Sequence, residues 1–213
     1  MGISRETGTL QRWLPLSGLA FVVIVVVTFA AVAGDTPESE ASAAKVASFY
    51  DAHEGSAWAS AFLLAAAAPF LVVFGVNLAL SLWPEGPGRR PVWPTVLLLG
   101  SALGAMSFLV GAHGVLAVAD GVDHLTPETL QGINIIDSDS WIVFNSALGV
   151  MMLGAAGSLI PRGSRALGWS ALVLGIALFI PFADFVALLL TGIWIIVTSI
   201  LQFRGSASLV AAP

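Results

Sequence analysis

Long apolar blocks joined by short polar stretches set the pattern of this chain. Apolar runs cover 13–33, 56–83, 93–119, 141–160 and 166–201. A membrane-crossing helix needs ~20 mostly apolar residues, range ~17–25, and each of the first four runs is of the order needed for one crossing. The fifth has 36 residues. As one helix it would reach ~54 Å at ~1.5 Å per residue, too long for a single crossing. Pro181-Phe182-Ala183-Asp184 stands in its middle, a helix-breaking proline followed by a charge that is costly in hydrocarbon. The pattern predicts a tight hairpin there, and six spans in all: 13–33, 56–83, 93–119, 141–160, 166–182 and 185–201. The expected fold class is all-α, a single transmembrane domain over 1–213 built as a bundle of six helices.

Polar signals refine the joints. Thr36-Pro37-Glu38 and Thr126-Pro127-Glu128 both read as helix starts, with Thr as N-cap, Pro at the first helical position and Glu near the positive end of the helix dipole. A short helix is therefore expected in each of the two long loops. Pro69 is expected to kink the second span. In the third, Gly100, Gly104, Ser107, Gly111 and Gly114 share one stripe, and small residues there let a neighbouring helix approach closely. The simplest use of that stripe is packing within the bundle, a homodimer seam being the alternative.

Charge placement supports six crossings. With the N-terminus inside, all seven arginines (Arg5, Arg12, Arg89, Arg90, Arg162, Arg165, Arg204) face the cytoplasm, accompanied by the acids Glu6 and Glu85. The other side carries Lys45 and the remaining acids, among them Asp51, Glu54, Asp120, Asp123, Asp137 and Asp139. This is the positive-inside distribution, and five spans would put Arg204 on the wrong side. Trp13, Trp58, Trp83, Trp93, Trp141 and Trp169 lie near span ends, as interfacial anchors do. The first span is longer than the ~7–15 apolar residues of a signal peptide and is read as a true crossing.

Composition agrees. The chain is 57% hydrophobic and 10% charged, against about 25% charged in soluble domains. It is expected to be an integral protein of the plasma membrane, with both termini cytoplasmic and the lipid bilayer as its first partner. The absence of cysteine excludes disulfides, thiolate metal sites and cysteine nucleophiles. Lysine occurs once among abundant Ala, Gly and Val, a bias that points to a GC-rich bacterial genome.

Candidate chemistry concentrates at the acidic side. No HExxH, GxSxG, P-loop or dinucleotide-binding fingerprint occurs, and no basic patch with interleaved aromatics suggests nucleic acid. The three histidines, His53, His113 and His124, all fall on the acidic side. On one continuous helix His113 and Asp120 would lie ~20° apart, with His124 a turn further. That stripe could meet His53, Asn145 (one turn into the fourth span) and Asp184 (in the final hairpin). Such a set could bind a metal, a haem or a quinone. The competing reading makes His113 a shallow structural histidine, and the loop acids the complement of inward-facing arginine. Gly121 is also placed to break the helix before His124.

The segments RWLPLSGLAFVV (12–23), FYDAHEG (49–55) and LGWSALVLGIALFIPFADF (167–185) resemble a group of small, uncharacterised multi-pass membrane proteins of actinobacteria. The resemblance runs over most of the chain and implies the same topology and a similar source. It implies no reaction, cofactor or residue role. The expected function is a non-catalytic membrane component or subunit of a larger assembly, associating with other membrane subunits or with itself. The alternatives are a redox protein using His113 and a carrier for a lipid or other apolar molecule.

Overall fold

A computed structural model describes residues 12–32, 36–84, 86 and 90–205, with the side chains of 31 and 32 left aside. Every regular element among them is helical. A 3-10 turn at Leu14–Leu16 leads into α1 (Ser17–Val27), which ends in a π-helical turn at Thr28–Val32. Then follow α2 (Ala43–Ser81), α3 (Val92–Gly121), α4 (Pro127–Asp139), α5 (Trp141–Leu159), α6 (Arg165–Ala177) and α7 (Asp184–Arg204). Four stretches are long and apolar enough to cross a membrane: Ala43–Ser81, Val92–Gly121, Pro127–Arg162 and Asp184–Arg204. Two shorter apolar helices, Leu14–Ala30 and Arg165–Ala177, accompany them.

The long final block does divide. The α6 helix stops at Ala177, the chain turns through 178–183 with Pro181 exposed, and α7 starts at Asp184. At the other end, Gly163 supplies a backbone φ of +85° for the turn into α6, a conformation in which a Cβ would be strained. Thr126 caps α4 as expected, accepting from the Thr129 amide. The first loop behaves differently. No helix begins at Thr36; α2 starts at Ala43, where the Ser42 hydroxyl accepts from the Lys45 amide. The carbonyls of Pro37, Glu38 and Ala41 accept instead from side chains of α4, so the segment runs as a strap. The break in α2 also differs from expectation: its one non-helical residue is His53 (φ −124°, ψ 21°), whereas Pro69 keeps helical dihedrals.

Packing closes a ring. In order, α1 meets α2, α2 meets α3, α3 meets α5, α5 meets α6, α6 meets α7, and α7 returns to α1, while α4 lies across α2 and α3. The tightest seam joins α3 to α5, running antiparallel. A Cβ built on Gly154 would fall 2.2 Å from the Leu97 nitrogen, and one on Gly100 would fall 2.3 Å from the Met151 nitrogen. Further along, Gly157 opposes Trp93, and Gly104 opposes Leu71 and Leu148. The glycine stripe is thus used inside the molecule, and it continues past α5: the position opposite Gly114 is Asp137 of α4. At the opposite end of the seam, the Arg162 guanidinium donates to the carbonyls of Ser158 (2.8 Å) and Leu82, tying α5 to the end of α2.

Candidate functional site

The α4 helix turns two of its polar side chains inward. Ile136 is 73% and Ile135 39% exposed, while Asn134 is 2% exposed and Asp137 is half-buried beneath it. Residues 130, 134 and 137 fall on one helix face by their i, i+4, i+7 spacing. That face meets α2, α3 and the strap. Asn134 Nδ2 donates to the carbonyls of Pro37 and Glu38, each at 3.3 Å, and Gln131 Nε2 donates to Ala41 at 2.8 Å. Two amide side chains therefore fasten the strap over the acidic end of the bundle. Replacing Asn134 by alanine removes both of its bonds, which are worth roughly 1–2 kcal/mol together at usual net values. Faster amide exchange in 36–42 is expected in Asn134→Ala, with the span helices as protected as in the parent protein; hydrogen exchange by mass spectrometry checks this.

Beneath strap and α4 lies a cavity of about 240 Å³. The break at His53 shapes one wall. His53 Nδ1 donates to the Phe49 carbonyl at 2.8 Å, and its ring stacks on Phe49 at 4.4 Å. Ser56 Oγ fills the gap in the helix by donating to the His53 carbonyl at 2.9 Å. This brings Phe49 and Tyr50, on the outer side of the bend, to the same space as Ser56, Ala57 and Ser60 beyond it. Gly111 and Val115 of α3 line another side, Thr28 and Phe29 a third, and Trp141 stands at the start of α5.

Asp137 is the ionisable group at the centre of this arrangement. Its carboxyl sits over Gly114, where a Cβ would come within 2.4 Å of Oδ1. Among the described residues no cation pairs with it and no donor reaches its carboxylate oxygens. Burial raises its pKa from 3.8 to about 6. The Tyr50 phenol, 2% exposed, is pushed up to about 12, first by burial and then by the Asp137 charge. Both groups precede the apolar runs of their chain segments, Tyr50 lying ahead of the His53 bend and Asp137 ahead of α5. Three of the neighbouring hydroxyls are occupied: Ser60 donates to Ala57 (2.9 Å), Ser140 to Asp137 (2.6 Å) and Thr28 to Ile24 (2.8 Å), all main-chain carbonyls. A hydroxyl nucleophile needs an adjacent base, and these hydroxyls point to carbonyls instead. The arrangement can hold a ligand by charge, hydrogen bonding and aromatic contact.

The residues singled out in the sequence do not gather there. His53 is exposed and acts on the cavity through Phe49. His113 is exposed on α3, with the adjoining Gly114 turned to Asp137. Asp120 is exposed, α3 ends at Gly121, and His124 lies in the turn beyond, so the projected stripe is cut short. Asn145 is 1% exposed within α5, and neither of its amide atoms has a hydrogen-bond partner among the described residues. Asp184 is buried at the start of α7, where its Oδ1 accepts from the Phe185 amide at 2.7 Å. Among the described residues no three His, Asp or Glu side chains group as metal ligands would. Asp137 was missed because it reads as one acid among several in a loop. The available signal was the α4 periodicity, which sets it on the face of Leu130 and Asn134.

A second space, an apolar groove of about 340 Å³, lies between α3 and α5 and is lined by Leu103, Met106, Val110, Val143 and Phe179 among others. It has no charged residue in its lining. No family model, no curated protein and no solved structure matches this chain.

Proposed function

We propose that the protein is a six-span plasma-membrane protein with both termini cytoplasmic, which holds a small ligand at its outer mouth without converting it, as the binding component of a membrane assembly. The observation that carries this reading is the placing of Asn134 and Asp137 of α4 toward a strapped cavity while Ile135 and Ile136 face outward. Burying a carboxyl is unfavourable unless something is gained from it. Six crossings are supported by the ring order of the helices, with α1 and α6 completing the four long ones, and by the segregation of arginine to one set of helix ends. The resemblance to small actinobacterial membrane proteins supports the same topology. A carrier of apolar molecules is favoured by the groove between α3 and α5, but that groove offers no charged group to orient a cargo. The redox reading centred on His113 draws no support from an exposed histidine turned away from the cavity.

The chain has no cysteine, so single introduced thiols report without background. In intact cells Glu128→Cys is expected to react with a membrane-impermeant maleimide, and Arg165→Cys only after permeabilisation. Ser138→Cys, in the cavity lining, is expected to react with methyl methanethiosulfonate but poorly with a bulky thiol reagent. Labelling of Arg165→Cys from outside would overturn the topology. Equal reaction of Ser138→Cys with small and bulky reagents would overturn the enclosed site.

A further inference from the structure

We propose that the Asp137 cavity takes a small organic ammonium ion, its cationic head on the carboxylate and its carbon skeleton among the aromatic rings. This rests on the reading of the cavity as a ligand site and names the ligand's chemistry.

Three observations converge. The Asp137 carboxylate is half-buried yet has no cation and no donor among the described residues, so its charge is left for something that enters. Phe29, Phe49, Tyr50 and Trp141 line the same space, and aromatic rings beside a carboxylate are what an ammonium or quaternary ammonium head binds. The cavity, at about 240 Å³, is far larger than the space one water or one bare ion needs.

Other ligand classes fit less well. A hard divalent cation wants ~6–8 oxygen ligands, and the residues here do not group as metal ligands. An anion would meet Asp137 together with exposed acids nearby, Glu38 on the strap, Asp51 and Glu54 on α2 and Asp139 on α4. Those same acids draw cations toward the mouth. A neutral molecule would leave the carboxylate without its counter-charge. Gly114 gives the carboxyl its seat, since any side chain there would displace it.

The test uses the full chain in nanodiscs of phosphatidylglycerol alone, titrated calorimetrically with the hydroxyethyl-trimethylammonium ion. The comparison ligand is its uncharged isostere, with carbon in place of nitrogen. Saturable binding of the cation is expected, with the isostere weaker by about tenfold or more (~1.4 kcal/mol). Asp137→Asn should weaken cation binding by a similar factor while the protein still melts cooperatively. Gly114→Ala keeps the charge but moves it, and should weaken binding as well. Adding phosphatidylethanolamine to the discs separates two sources of the same chemistry. A lowered apparent affinity assigns the site to a lipid headgroup, and an unchanged one to a free ion. Equal binding of the isostere, undiminished binding by Asp137→Asn, or no ammonium binding in ethanolamine-free discs would overturn the proposal. Should a neutral or anionic compound bind while Ser138→Cys keeps its size-selective labelling, the cavity reading stands and the ammonium assignment falls.

Discussion

Gly154→Ala is expected to destabilise the protein by ~3 kcal/mol or more, lowering its melting temperature in detergent by many degrees. The added Cβ would lie 2.2 Å from the Leu97 nitrogen, 2.6 Å from its Cα and 2.9 Å from its Cβ. None of these is the far end of a flexible side chain, so relief requires α3 and α5 to part. Overpacking a core usually costs ~1–3 kcal/mol when side chains can shift, and here the obstacle is main chain. Parting the two helices also loosens the contacts at Gly100 and Gly157, which belong to the same seam. Gly100→Ala should behave alike, and the double variant should cost less than the sum because one separation relieves both. Gly192→Ala in α7 is the control. Its Cβ would meet only Val22 Cγ1 at 3.8 Å, an ordinary contact, so it should be neutral or gain up to ~1 kcal/mol from helix propensity. A Gly154→Ala protein melting with the parent would show that the seam is not closed.

Asp137→Asn is expected to change how stability depends on pH. The folded protein raises this carboxyl from 3.8 to about 6 through burial. Between those values the folded state binds more protons than the unfolded state, so the stability linked to this group falls as pH rises. The contribution is fully present below about 4 and lost once pH passes about 6. At ~1.4 kcal/mol per pKa unit, the loss is at most ~3 kcal/mol, less whatever solvent access relieves. Tyr50 is the other titratable group facing Asp137. Its phenol, at about 12, stays protonated throughout. The α3 and α1 walls present Gly111, Gly114, Val115, Thr28 and Phe29, which do not titrate, and the strap presents Thr36 and Pro37. Asn at 137 removes the titration, and the exposed acids are common to both proteins and cancel in the difference. The variant should match the parent near pH 3 and be the more stable of the two at pH 7.5. Thermal melts across that range check it, and a constant difference would exclude Asp137 as the source.

The two predictions test opposite ends of one seam, and they show how legible each part was. The glycine stripe of the third span was visible as spacing, and the structure puts it to the packing use that spacing suggests. The division of 166–201 was visible too, because proline and charge together cannot lie in mid-membrane helix. The Thr126 cap was read correctly and its twin at Thr36 was not, although the two triplets are identical. What separates them is that Asn134 reaches across and takes the Pro37 and Glu38 carbonyls of the first, while Gln131 takes that of Ala41 just beyond. A local signal cannot register a partner some ninety positions away. His113 and Asp137 show the same limit. One stands out in an apolar run, the other is hidden among loop acids, and the fold turns His113 outward while it seats Asp137, partly buried, against Gly114.

The sequence by itself determined the class of protein, the rough limits of the apolar helices and the sign of charge at each end. These follow from transfer free energy and helix length, which are summed along the chain and need no knowledge of neighbours. Only the tertiary structure decided that α4 turns Asn134 and Asp137 inward, that a strap closes over it, and that Asp137 is left with aromatic company and, among the described residues, no counter-ion. Those are relations between surfaces far apart in sequence. They arise because glycines let α3 approach the α4–α5 segment closely enough to hold a carboxyl where a side chain would otherwise be.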